Sequence, residues 1–221
     1  MVGDEINRAS PKTQSALLEV MGEHQVTVDG ASYRLARPHF LVATQNPFGY
    51  YGTYPLPEGQ LDRFLMALGI GYPDFENELA VIDDAVHQRV PETLRPVLNI
   101  VDIQAMIETV RRVRVERRAR EYIVGITTRT RGSTFADRLR LGASPRASAA
   151  LARASQAHAA FRGRSFVTAD DVQAVAQPVL KHRILLTPEA ELLGDTSNQV
   201  IKELLAEVEV PSRPAGSDQR C

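Results

Sequence analysis

The chain has 221 residues, 43% of them hydrophobic and 24% charged, which is ordinary for a globular protein and enough for one large domain or two modest ones. A formal net charge of -1 supplies no global field to gather nucleic acid or an anionic membrane. The one cysteine, Cys221, excludes a disulfide framework and a cysteine-based zinc site; no apolar run reaches bilayer length and no signal-peptide pattern opens the chain, so a reducing cytoplasm is the expected compartment.

The chain opens on Gly3-Asp4-Glu5-Ile6-Asn7-Arg8-Ala9, with Met1-Val2 as the stub of a strand. Two adjacent carboxylates at the carboxyl end of a buried strand lie where α/β sheets bind ligands. Such a pair can hold Mg²⁺ through its water shell and polarise an attacking water. An acidic turn capping the next helix is the plainer reading of the same residues. Ser10-Pro11 starts that helix, Leu17, Leu18 and Met21 recur at helical spacing, and Gly22 marks its stop. Gln25-Val26-Thr27-Val28 and Ser32-Tyr33-Arg34-Leu35 flank Asp29-Gly30, a hairpin signal.

The apolar run Phe40-Leu41-Val42-Ala43-Thr44 reads as a buried strand ending in Gln45-Asn46-Pro47. An asparagine there either bonds its own turn or orients a water against a phosphate. A Gly, Tyr and Pro-rich loop over 48–57 leads to Glu58-Gly59-Gln60-Leu61-Asp62-Arg63-Phe64, in which Asp62 and Arg63 read as a local ion pair. Residues 65–72 read as a second buried strand, and Pro73-Asp74 starts a helix running toward Val90.

Beyond an extended stretch at 97–100, Asp102 is expected to cap a helix carrying Ile103, Met106, Ile107 and Val110. Arg111, Arg112, Arg114, Arg117, Arg118 and Arg120 are interleaved with Glu108, Glu116 and Glu121, without an aromatic before Tyr122; the pattern reads as solvated helix faces. Ala119, Tyr122, Ile123, Ile126 and Thr130 form a core-facing stripe. In Gly142-Ala143-Ser144-Pro145-Arg146-Ala147, Ser144 caps a helix and Arg146 stands in its first turn. A cation there costs about 0.3–1 kcal/mol against the helix dipole unless an anion is near, so the placement points to a phosphate. The helix runs to Phe161 and closes at Gly163, Thr168 and Asp171 cap another over 169–180, and Leu185-Leu186-Thr187-Pro188 opens a last unit ending in a helix over 198–208. The expected organisation is α/β over 1–95, helical over 96–210, and a disordered tail over 211–221.

Four separated signals agree. Gly3-Asp4-Glu5-Ile6-Asn7-Arg8-Ala9 resembles the Walker B segment of an AAA+ ATPase, and Ala43-Thr44-Gln45-Asn46-Pro47 resembles sensor 1. Leu61-Asp62-Arg63-Phe64 is similar to an arginine-finger segment and Gly142-Ala143-Ser144-Pro145-Arg146-Ala147 to sensor 2. Their order and wording resemble the MoxR family of AAA+ ATPases, and the hairpin is similar to the pre-sensor-1 hairpin of the clade holding MoxR and magnesium chelatase subunits. The resemblance implies an α/β partial AAA+ core of the P-loop NTPase type, with the third to fifth strands only of a 5-1-4-3-2 sheet, followed by an all-α lid domain. It implies ATP and Mg²⁺ as cofactors, with Asp4 holding the metal, Glu5 activating water and Asn46 positioning that water. Arg63 would reach the nucleotide of a neighbouring subunit, and Arg146 would touch that of its own. The implied assembly is a homo-oligomeric ring, a hexamer by analogy, that remodels or activates partner proteins, often ones with von Willebrand factor A domains, or helps insert metal cofactors.

One departure stands out. Lysine occurs only at Lys12, Lys181 and Lys202, never after a glycine, so the Gly-x-x-x-x-Gly-Lys-Ser/Thr phosphate loop (Walker A) is absent from the chain. The expectation is a chain that begins partway through its ATPase domain, is marginally folded over its first 95 residues for want of a neighbouring strand, and does not hydrolyse ATP alone. Two other classes stay open: a non-enzymatic interaction protein that lends Arg63 to a partner's site, and a nucleic-acid motor, against which the near-neutral charge and sparse aromatics weigh.

Overall fold

In a computed structural model of the chain, residues 1–46, 52–87 and 95–210 are described. End chemistry sets much of the local structure. Ser10 Oγ accepts a hydrogen bond from the Thr13 N–H at 3.3 Å and starts helix α1 (Pro11–Glu23). The helix passes Gly22 and stops at His24, in the left-handed region at φ 54°. A single glycine costs a helix about 1 kcal/mol, too little to end it alone. Asp29 and Gly30, at φ 50° and 80°, make the tight turn between β2 (Gln25–Val28) and β3 (Ala31–Arg34). Glu19 of α1 holds this hairpin by accepting from the Thr27 N–H, the Thr27 hydroxyl and Gln25 Nε2 at 3.2, 2.5 and 3.1 Å.

Strands β1 (Val2–Gly3) and β4 (Val42–Ala43) pair in parallel, Val2 opposite Val42 and Gly3 opposite Ala43. Residues 65–72, expected as a buried strand, form none: Leu68, Ile70 and Tyr72 are 77%, 98% and 89% exposed. A strand needs a neighbour for its N–H and C=O groups, and the described residues place none beside this segment. Short helix α2 (Glu58–Leu61) precedes it, and α3 (Phe75–Val86), capped by Asp74, buries none of its side chains. Asn99, not Asp102, caps α4 (Ile100–Arg111); Asp102 stands at the third helical position and returns the bond to the Asn99 N–H at 3.1 Å. Pro47, residues 48–51 of the following loop, residues 88–90 of the expected run to Val90 and the tail from 211 lie outside the described residues.

The main core lies further along. Helices α5 (Arg117–Arg129), α6 (Pro145–Phe161), α7 (Ala169–Leu180) and α9 (Ser197–Glu207) pack around a buried cluster reaching from Val113 to Leu204. Over the described part of 1–95, the buried side chains are Ile6, Gln14, Val20 and Leu56. The region read as nearly all helix also holds an antiparallel pair, β5 (Leu139–Leu141) with β6 (Leu185–Leu186), followed by short helix α8 (Pro188–Leu192). Strands this short carry no readable period. Arg138 beside them bonds Asp195 at 2.8 and 2.9 Å and also reaches Glu203.

At the start of α7 the Thr168–Asp171 capping box is part of a buried ionic knot. Asp171 is fully buried and accepts from both Arg164 terminal nitrogens at 2.7 and 2.6 Å, the Thr168 N–H at 2.8 Å, and His158 Nδ1 at 2.6 Å. Burial would raise the carboxyl's pKa, but these donors, Arg164 foremost, outweigh it and lower the pKa to about 2. The unfolded chain therefore binds the proton more tightly, so this stabilisation is complete above the ordinary value of 3.8 and is lost as pH falls through about 2. Asp171→Ala is expected to destabilise the helical part by about 3–5 kcal/mol in urea melts at neutral pH, because it strands the Arg164 charge. Between pH 4 and 2 the parent chain should lose on the order of 2 kcal/mol through this group, and the variant correspondingly less.

Candidate functional site

The parallel register sets the carboxyl ends of β1 and β4 side by side. The Thr44 N–H donates to Gly3 O and the Ile6 N–H to Thr44 O, both at 3.0 Å, so pairing continues one step past the strands. The Thr44 hydroxyl donates to Asp4 Oδ1 at 2.6 Å and accepts from the Glu5 N–H at 2.8 Å. Asn46 Nδ2 donates to Glu5 Oε1 at 3.2 Å, while Arg8 Nε lies 2.9 Å from Glu5 Oε2. Glu5 adopts φ 45°, ψ 51°, a left-handed conformation costing a non-glycine residue roughly 1–2 kcal/mol. That turn leads the chain from the strand into the 3-10 turn Ile6–Arg8.

A polar brace holds this turn. Buried Gln14 donates to Ile6 O at 3.2 Å and Tyr54 O at 2.8 Å, and Asn7 Nδ2 donates to Asn46 O at 3.2 Å. Asp4, Glu5 and Asn46 are thus brought together. Thr44 joins them through its side chain, a role whose only mark in the sequence is a hydroxyl at the end of an apolar run. Mg²⁺ suits this donor set, since it takes one or two carboxylates and otherwise keeps water, and Asp4 is exposed beside Glu5. Among the described residues no three His, Cys, Asp or Glu side chains converge as a closed metal cage.

Arg63 and Arg146 lie elsewhere. The exposed Arg63 lays its guanidinium over α1 near its end, with Nη1 2.5 Å from where a Cβ on Gly22 would stand. Gly22 is roughly 16 Å along the helix from Pro11, so Arg63 does not join Glu5 and Asn46 within its own chain. Arg146 stands in the first turn of α6, where Ser144 Oγ accepts its N–H at 3.1 Å. Gly142 is required just before: a Cβ there would meet Thr130 O at 2.5 Å.

The anion near Arg146 is a carboxylate, Asp62 Oδ2, at 3.9 Å. Asp62 also accepts from Ser144 Oγ at 2.8 Å and from Arg183 Nε at 3.0 Å. Adjacency in the sequence pairs Asp62 with Arg63, but consecutive residues face different neighbours here, Asp62 the lid and Arg63 helix α1. Nothing in the sequence marks Arg183, because a basic run after a helix (Lys181-His182-Arg183) ordinarily stays in solvent. The stripe from Arg111 to Arg120 behaves as expected at Arg111–Glu108 and Arg117–Glu121, exposed pairs at 2.5 and 2.7 Å.

Residues 1–66 match the family described as "ATPase family associated with various cellular activities (AAA)", and residues 132–204 match the AAA lid domain. YeaC of Bacillus subtilis is 47% identical over 211 residues, an alignment covering 96% of this chain and 65% of that protein. Chaperone MoxR1 of Mycobacterium tuberculosis is 36% identical over 217 residues, covering 96% of this chain and 57% of that one. The chain belongs to the MoxR family of AAA+ ATPases. A crystal structure of a Cytophaga hutchinsonii protein superposes on this MoxR-family chain with a TM-score of 0.85 at 34% identity, covering 96% of this chain and 66% of that one. The fold is accordingly part of an AAA+ core followed by an AAA lid. The chain spans between 57% and 66% of the length of these relatives. The core match includes Asp4, Glu5, Asn46 and Arg63, and the lid match includes Arg146 and Arg183.

The hydroxyl of Thr44 is central to the carboxylate edge, which makes a local prediction. Thr44→Val should speed amide exchange at Glu5 and Ile6 about tenfold, measured by hydrogen-exchange mass spectrometry, with α6 and α9 unchanged.

Proposed function

We propose that this MoxR-family chain carries the water-activating edge and the lid of a ring ATPase that remodels or activates partner proteins. The observation that supports it most is the Glu5 carboxylate held by Asn46 at 3.2 Å beside Asp4, at the carboxyl end of a parallel strand pair. In this reading Asp4 holds the water shell of Mg²⁺, and the metal, when bound, offsets phosphate charge. Glu5 polarises the attacking water and Asn46 orients it, a division suited to phosphoryl transfer, where positioning and electrostatics do most of the work.

Arg63, exposed and far from Glu5, suits a residue that serves the nucleotide of a neighbouring subunit, so a ring is the natural assembly and a hexamer the expected size by analogy. Arg146 turns from Asp62 to the nucleotide of its own subunit when one is bound. The loop that grips the β- and γ-phosphates has no counterpart among the 221 residues, since no lysine follows a glycine; this reading takes that loop from residues beyond this sequence. The same observation favours the second reading, an interaction protein that lends Arg63 without turning over ATP itself.

The name of MoxR1 as a chaperone supports a protein client, and a von Willebrand factor A domain partner is the first to try. No helix among the described residues is long and apolar enough to cross a membrane, and the cytoplasm is the proposed compartment. ATP turnover by the assembled protein tests the reading. Glu5→Gln should abolish hydrolysis while leaving ATP bound, and Asn46→Ala should slow it on the order of a hundredfold. Rings mixed from Arg63→Ala and Glu5→Gln subunits should regain part of the activity that each lacks alone, since one supplies the site and the other the arginine. No turnover in the parent protein, with the protein folded, would favour the interaction reading.

A further inference from the structure

The segment that carries Arg63 has little structure of its own, and an arginine of the lid holds it. Arg183 has a side chain only 2% exposed. Its Nε donates to Asp62 Oδ1 at 3.0 Å, Nη2 to Asp62 O at 3.1 Å and also to Phe64 O, and Nη1 to Leu65 O at 3.1 Å and also to Val179 O. Four of these five bonds leave the lid for residues 62–65, so the guanidinium serves the junction more than the lid itself. His182 adds an Nε2–H bond to Phe64 O at 3.1 Å; burial foremost lowers its pKa to about 4, which keeps the imidazole neutral. The Ala67 N–H donates to Pro178 O at 2.9 Å. Arg63 is therefore flanked on both sides by residues tied to one buried side chain.

We propose that Asp62 and Arg183 form a buried latch fixing the Arg63 segment to the lid, which makes Arg183 a positioning residue for Arg63. The functional half rests on reading Arg63 as the residue that reaches a neighbouring subunit's nucleotide. The chemistry suits the task. Five fixed donors on a planar fork can define the position of a loop that has no sheet to lie in, which a lysine could not do. Burying the charge is costly unless it is paired, so the latch is either closed with Asp62 seated or open with both groups in water, with little in between. Ser144 and Arg146 end on the same carboxylate, at 2.8 and 3.9 Å, so the arginine that would touch the chain's own nucleotide shares its anchor with the arginine offered to the neighbour.

Hydrogen-exchange mass spectrometry on the whole chain tests the latch. Arg183→Met should speed exchange of the amides at 62–67 about tenfold or more, while α6 and α9 keep their rates. The double variant Asp62→Asn/Arg183→Met, with no unpaired buried charge, should recover the melting temperature of the helical part but not the protection at 62–67. Unchanged exchange at 62–67, or equal loss across α6 and α9, overturns the latch. In the assembled ATPase, Arg183→Met should lower kcat about tenfold with KM for ATP unchanged, and should cost nothing further when Arg63 is already alanine. An equal additional loss in that background overturns the positioning role. If Arg63→Ala leaves turnover intact, the reading of Arg63 falls and Arg183 loses its positioning role, while the exchange data still decide the latch.

Discussion

The candidate site depends on one register. Gly3 lies opposite Ala43 in a parallel pair, and the contacts between the two strand ends at the carboxylate edge follow from that alignment. Glu5 and Asn46 stand 41 positions apart in the chain, yet their side chains meet because both strands end together. A slip of one residue would reverse the face each side chain takes and part the acid from the amide. Two-residue strands contribute little pairing energy of their own, so side chains must hold the register. Thr44 binds both the Asp4 carboxylate and the Glu5 N–H, and Gln14 ties α1 to the turn that follows. The left-handed Glu5 is consistent with this: a strained conformation persists where its surroundings over-determine it.

The molecule divides its stabilisation unevenly. The helical part has a continuous apolar core from Val113 to Leu204, whereas the described part of the first 95 residues buries few side chains and leaves α3 uncovered. What organises the first part is largely polar: the Thr44 bridge, the Gln14 brace, the Glu19 anchor of the hairpin, and Asp62 with Arg183. Polar contacts of this kind add modest net energy but are strict about geometry. That suits a surface whose purpose is to hold a few groups at set distances. The two carboxylate knots, Asp171 fully buried and Asp62 partly so, differ in scope. Asp171 joins elements within the lid, while Asp62 joins the lid to the segment that carries Arg63.

Much of the site was legible in the chain as a set of motifs, and little of it as a set of contacts. Asp4-Glu5, Asn46, Arg63 and Arg146 could each be picked out, and the AAA+ core and lid matches span all of them. The partner of Asp62 could not be read, because adjacency in the chain favoured Arg63 and the competing arginine lies 121 positions away. Residues 65–72 misled for a related reason. Their apolar run has the composition of a buried strand, but composition records what a segment could bury, and burial needs a surface to receive it.

The sequence by itself determined the ends and faces of most elements: the Ser10, Asp74, Ser144 and Thr168 caps, the Asp29-Gly30 turn, and the inward stripe of α5. These depend on groups within about four positions of one another, whose geometry the backbone sets locally. The tertiary structure alone decided that Thr44 bridges Asp4 and Glu5, that Asp62 turns to Arg183, that Arg146 rests near a carboxylate, and that 65–72 forms no strand. Those outcomes are competitions among distant groups for hydrogen-bond partners and for burial, and they are settled only when the chain brings the rivals together.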